Sequence, residues 1–297
     1  MIDTFLKYLQ YEKRYSPKTV ISYKTDLRQF EAFIQKEFES NTEDANYGMI
    51  RGWIVSLSEQ DLDATSINRK IACLRSYYKF LRRQEVITKD PLLKVKVLKV
   101  KKKLPHFVNE QDMIQSLDKP EINENEKRTE LELLRDQLIL EMLYSTGMRR
   151  AELIGLKDRD INFREKTIKV LGKRNKERVI PFASGIVSLL ERYRDVRNRE
   201  VEREDLEHFF VTKEGKQLYP VLVNRIVKKG LKGTSVEKKS PHVLRHTYAT
   251  HLLNKGAEIN AVKDLLGHTS LAATQVYTHN TMEKLKEAYK YHPKSGD

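Results

Sequence analysis

The sequence predicts a mainly α protein, with an N-terminal helical domain and a second, mostly helical domain holding one small three-stranded antiparallel sheet. Three observations predict it. Apolar residues recur at steps of three and four through the first ninety positions and again beyond position 106. Three short segments between Ile161 and Phe182 break that period and read as strands separated by turns. Between the two helical regions, six of the ten residues from Lys94 to Lys103 are lysine, and Leu104-Pro105 closes the run. A stretch of that composition suits an extended, self-repelling linker. The expected division is therefore 1–93, a basic linker 94–105, and 106–297.

Four helices are expected in the first domain. Ile2, Phe5, Leu6 and Leu9 mark one. Ser16-Pro17 supplies a cap followed by proline at the first helical position. Val20, Tyr23, Leu27, Phe30, Ile34 and Phe38 then draw one long apolar face. Ile50, Trp53, Ile54 and Leu57 mark the third helix. The fourth starts near Ser66, with Ile67, Ile71, Leu74, Tyr78 and Leu81 inward and Asn68, Arg69, Lys70 and Arg75 outward. That outward set reads equally as a DNA-facing surface or as an ordinary solvated face. Cys73 falls in the apolar phase and, as the single cysteine, forms no internal disulfide.

In the second domain Asn109 caps a helix containing Met113, Ile114 and Leu117. Leu131, Leu134, Leu138 and Met142 form another, which Gly147 stops. Strands are expected at Ile161–Phe163, Thr167–Leu171 and Arg178–Phe182. Helical spacing returns at Ile186, Leu189, Leu190 and Tyr193, and from Leu222 onward.

Lys plus Arg outnumber Asp plus Glu by 56 to 42, a formal charge of +14. Such an excess favours a polyanionic partner through phosphate neutralisation and counterion release. No apolar run approaches the ~18 residues that span a bilayer, and no lipidation motif or secretory pattern is present. These features predict a soluble, cytoplasmic protein with double-stranded DNA as partner and no membrane contact.

The chemistry-bearing residues stand in separate short strings. Arg149 follows Thr146-Gly147-Met148, where one helix stops and another begins. A guanidinium there stays charged and binds two phosphate oxygens at once; Arg150 is its neighbour and competitor, and Glu152 reads as an orienting group. His242 and Arg245 are three apart behind Pro241, so a helix puts both on one face. His246 and His251 read as support or surface. His268 follows Leu265-Leu266-Gly267, and Tyr277 comes nine residues later. Lys173, at the end of the second strand, sits on a hairpin tip with Arg174 and a rival, Lys176. Cleaving a phosphodiester with a side chain needs three things. Fixed cations must hold the charged phosphate, a nucleophile must lose its proton, which an unperturbed tyrosine keeps to about pH 10, and an acid must protonate the leaving oxygen.

Taken together, Thr146-Gly147-Met148-Arg149, Gly172-Lys173, His242-Val243-Leu244-Arg245, Gly267-His268 and Tyr277 resemble the tyrosine recombinases of the Xer type. The resemblance covers essentially the whole chain. It implies a core-binding domain, a basic linker and a catalytic domain ending in an exchange helix near Met282–Tyr289. It implies Tyr277 as nucleophile, Arg149 and Arg245 as a phosphate clamp, His242 and His268 as assistants, and Lys173 as acid. It further implies a 3′-phosphotyrosine intermediate and a Holliday junction. No cofactor, neither ATP nor metal, is implied. A homo- or hetero-tetramer on two DNA sites follows, with Leu285 and Tyr289 on the docking face of the exchange helix. A second Xer-type recombinase and an FtsK-like translocase are the implied partners. Lys101, Lys102 and Lys103, as a strap, and Arg174, where the family has glycine, join Asn68, Arg69, Lys70 and Arg75 as expected DNA contacts. Chromosome dimer resolution is the leading role. A mobile-element integrase, a catalytically silent architectural DNA-binding protein and a type IB topoisomerase are the alternatives.

Overall fold

A computed structural model describes residues 1–100, 106–118, 128–172, 177–202 and 207–267. The chain divides into two units, Met1–Lys103 and Leu104–Asp297.

The first unit is helical. α1 (Ile2–Lys7) runs into a π-turn at Tyr8–Glu12, and α2 (Pro17–Phe38), α3 (Tyr47–Glu59) and α4 (Ala64–Arg83) follow. Ser16 caps α2 by accepting from the Thr19 amide, with Pro17 in the first turn as the sequence predicts. Asp63 caps α4, which starts at Ala64, two residues before the expected start near Ser66. The core holds Phe5, Leu27, Phe30, Ile34, Trp53, Ile71, Leu74, Tyr77, Tyr78 and Leu81. Phe38, the last residue of α2, is exposed instead. Cys73 is fully buried, and burial pushes its thiol up to about 12, so it is inert to oxidation at neutral pH.

Two expectations for this unit are corrected. Lys70 is buried, not outward: its ammonium donates to Asp26 Oδ1 at 2.8 Å and lies over the Trp53 ring. Arg69 pairs with the same buried carboxylate. The reason is long-range: an aspartate on α2 needs cations when taken out of water. The lysine run is not a free linker over its first half. Leu92 and Val95 are buried at a spacing of three, and the Asn68 side chain brackets Leu98, donating to its carbonyl at 2.9 Å and accepting from its amide at 2.8 Å. Arg75 donates to the Val95 carbonyl at 2.8 Å. Asn68 and Arg75 thus fasten this segment to α4, with Lys94, Lys96 and Lys99 left exposed. Lys101, Lys102 and Lys103 lie outside the described residues.

The second unit is built around α6 (Glu130–Thr146), which is buried on every face from Leu138 to Thr146 and packs against α8 (Ser184–Glu200), α9 (Pro220–Gly230) and α10 (Pro241–Asn254). Thr129 and Glu132 close a capping box at its start. α5 (Glu110–Asp118) is capped by Asn109, whose Oδ1 accepts from the Asp112 amide at 2.7 Å. α7 (Arg150–Ile154) and α11 (Ile259–Leu266) are short. The sheet is antiparallel in the order β1 (Ile161–Asn162), β2 (Thr167–Leu171) and β3 (Glu177–Pro181), with Ile168 opposite Ile180 and Val170 opposite Arg178. α11 packs against β3. Among the described residues no helix is long and apolar enough to cross a membrane.

Candidate active site

Two helix ends and a strand assemble the site. α6 stops at Gly147, which is left-handed (φ 60°), and the chain turns through buried Met148 to Arg149, the residue before α7. α11 stops in the same way at Gly267 (φ 62°). A helix C-terminus exposes carbonyls without partners at the negative end of its dipole. Here arginines supply the donors. Arg245 gives Nη1 to the Gly147 carbonyl at 2.5 Å and Nη2 to the Leu266 carbonyl. Arg149 Nη2 reaches the Gly267 carbonyl at 3.2 Å, and Arg178 Nε the Leu265 carbonyl at 3.0 Å.

The second organiser is Glu152, one turn into α7. Its Oε2 accepts from the Arg149 amide at 2.7 Å and from Arg178 Nη2 at 2.8 Å. Its Oε1 accepts from Arg149 Nη1 at 2.8 Å and Arg178 Nη1 at 2.7 Å. Burial alone would push the Glu152 carboxyl up, but Arg178 and then Arg149 outweigh it and hold the acid below its usual range. It is a carboxylate at neutral pH.

Three guanidiniums against one carboxylate leave a positive excess. Arg245 records it: burial first, then Arg149 and Arg178, bring its guanidinium down to about 10. His242, one helical turn before Arg245, is exposed overall, yet partial burial of its ring, then Arg150, Arg245, His246 and Arg149, lower it, so it is neutral at pH 7. The Arg149 side chain is 32% exposed against 5% for Arg178. Arg149 and the exposed His242 face solvent, whereas Arg178 is sealed in. An anion arriving here would meet donors already held in place beside partly buried cations, where a charge-assisted bond is strong.

The structure therefore brings Arg149, His242 and Arg245 into one locality and gives Glu152 the orienting position read from sequence. Arg150 donates to Asn224 Oδ1 at 2.7 Å while its charge still acts on His242. His251 is buried support, bonded to Tyr144 Oη at 3.0 Å and the Val108 carbonyl at 2.9 Å. Lys173, Arg174, Lys176, His268, Tyr277 and the exchange helix lie outside the described residues. Arg178 was missed. The available signal was its place two residues before Ile180 on the inner face of a strand, where an arginine needs a buried partner.

Gly147 carries one expectation of its own. A Cβ there would overlap the Tyr248 ring, at 2.9 Å from Cε1, and press on Leu266 Cδ2 at 3.0 Å. Gly147→Ala is expected to cost roughly 3 kcal/mol, from left-handed strain and overpacking together. Urea denaturation checks this; an unchanged midpoint would mean the turn has room to spare.

The profile described as the Phage integrase family matches residues 113–284, and the one described as its N-terminal SAM-like domain matches residues 2–85. The chain is 41% identical to a tyrosine recombinase XerC of Oceanobacillus iheyensis, over 99% of this chain and 96% of that protein. It is 33% identical to a tyrosine recombinase XerD of Staphylococcus haemolyticus, over 99% of both. Its fold is similar to the XerH site-specific recombinase bound to palindromic difH substrate, with TM-score 0.73, 22% identity, and coverage of 98% of this chain and 84% of that one. The Tn1549 transposon integrase in complex with transposon right end DNA is similar at TM-score 0.70 and 18% identity, over 96% and 98%. From these matches the chain belongs to the phage integrase family, the tyrosine recombinases, and is of their Xer type.

Proposed function

We propose that this enzyme cleaves and rejoins duplex DNA at a defined site through a 3′-phosphotyrosine, passes through a Holliday junction, and serves to resolve chromosome dimers in the cytoplasm. The observation that carries the reading is the pairing of Arg149 and Arg245 at the end of α11, ten residues before Tyr277 in the chain. A segment leaving Gly267 starts where the cations already are.

In this reading Arg149 and Arg245 bind the non-bridging oxygens of the scissile phosphate and stabilise its pentacoordinate state. Neutral His242 donates a hydrogen bond to the same phosphate, and His268 assists. His268 accepts the Tyr277 proton as that oxygen attacks phosphorus, and the bond to the 5′-oxygen breaks. Lys173 gives that oxygen its proton, leaving a 5′-hydroxyl. Rejoining runs the same steps backward with another strand's 5′-hydroxyl, so the phosphodiester energy is kept. The chain acts as a homo- or hetero-tetramer on two DNA sites, with Leu285 and Tyr289 on the exchange helix. A second Xer-type recombinase and an FtsK-like translocase are its proposed partners. The named XerC and XerD relatives, matched over nearly the whole chain, support that role.

The test uses a nicked duplex carrying the binding site found by footprinting on genomic DNA. The protein is expected to become covalently attached to the fragment ending in the 3′ phosphate and to release a fragment with a free 5′-hydroxyl. Attachment through the 5′ end, or no adduct on any footprinted site, refutes the reading.

A further inference from the structure

Arg149 has two side-chain partners, Glu152 Oε1 and the Gly267 carbonyl, and one buried residue lies behind both. Arg178 holds Glu152 with both ends of its fork, and it packs beneath the Gly267 turn so closely that a Cβ there would stand 3.1 Å from its Cδ and 3.2 Å from its Nη1. Its remaining Nε fixes the Leu265 carbonyl, two residues upstream. We infer that Arg178 is a positioning residue of the recombination reaction: it neutralises Glu152, so that the carboxylate can hold the Arg149 guanidinium without cancelling its charge. The inference rests on the recombinase reading of the site and names what keeps its clamp cationic.

The charges require such a group. Glu152 reaches Arg149 through the backbone amide and through Nη1, an arrangement that fixes the arginine well but lays a full negative charge against it. A phosphate approaching Arg149 alone would face an ion pair already satisfied. With Arg178 forked onto both carboxylate oxygens, Glu152 is matched by its own buried cation, and the charge of Arg149 remains available to the ligand. Arg178 is not placed for the second job: its side chain is 5% exposed against 32% for Arg149, and its Nε, Nη1 and Nη2 each donate to an inward acceptor. Its station on β3, opposite Val170, places it on a strand rather than a loop, which suits a part that must not move.

The experiment compares the wild type, Arg178→Met, Glu152→Gln and the double variant in single-turnover adduct formation on the nicked duplex, with band-shift affinity and a thermal melt for each. Arg178→Met is expected to slow adduct formation by about 100-fold, the scale of a misplaced catalytic group, with duplex affinity little changed. Its rate relative to wild type should climb as pH falls from about 8 to 6, because protonating the now under-paired Glu152 removes the charge that burdens Arg149. In the Glu152→Gln background, adding Arg178→Met should cost no more than about twofold, the tolerance for groups whose interaction is already gone. An equal loss in both backgrounds overturns the inference, as does an Arg178→Met chain as fast as wild type. Should Arg178→Met alone fail to fold, the comparison within the Glu152→Gln background decides. A wild type that forms no adduct refutes the recombinase reading itself. A wild-type adduct with no Arg178 effect refutes only this inference.

Discussion

Tyr277→Phe is expected to abolish covalent capture of DNA while leaving duplex binding intact. The substitution removes one oxygen and keeps the ring, so packing around position 277 changes little and the cationic surface not at all. A phenyl ring has no nucleophile to offer phosphorus. Water does not take its place efficiently, because only an atom already held in line benefits from the clamp. The loss should be at least about 10⁴-fold, the scale seen when an enzyme's nucleophile is deleted. Denaturing gels read the adduct, and band shifts read binding. An adduct that survives the change moves the nucleophile to another of the fourteen tyrosines.

Arg245→Ala is expected to damage both reaction and fold. The guanidinium bridges the last carbonyls of two helices, Gly147 of the α6 turn and Leu266 of α11. Truncation leaves both carbonyls short of a donor in a buried place, and relief from burying a charge offsets only part of that. A net cost of about 2 kcal/mol follows. The chemical loss is larger. A preorganised donor to a charged transition state is worth roughly 10²- to 10³-fold, and Arg245 also sets the turn that leads toward Tyr277. Arg245→Lys should recover part of the stability and little of the rate, because one ammonium cannot hold two diverging carbonyls and fork a phosphate. Urea denaturation and single-turnover cleavage separate the two effects. A variant that is destabilised yet cleaves at the wild-type rate would reduce Arg245 to a structural brace.

Much of this was legible in the residues. Ser16-Pro17, Asn109, Gly147 and Gly267 mark helix ends by local chemistry alone, and all four do so in the structure. Helix boundaries and helical spacing made Arg149, His242 and Arg245 candidates, but only the resemblance to the tyrosine recombinases chose Arg149 over Arg150. What sequence hid was pairing across distance. Lys70 reads as outward until Asp26, on another helix, is seen buried beside it. The segment from Lys94 reads as a repelled linker because its composition is loud, while the spacing of Leu92, Val95 and Leu98 that docks it is quiet. Arg178 carried no motif; only the fold shows that its strand faces Glu152, the residue that holds Arg149.

One cationic locality is expected to serve one phosphate. The most direct test is a structure of the Tyr277→Phe protein on an uncleaved duplex. The predicted result has guanidinium nitrogens of both Arg149 and Arg245 at about 2.7–2.9 Å from oxygens of a single phosphate, with the ring at position 277 beside it and Arg178 still on Glu152. Arg149 and Arg245 engaged with different phosphates, or with the ring of residue 277 remote from the one they share, would contradict it.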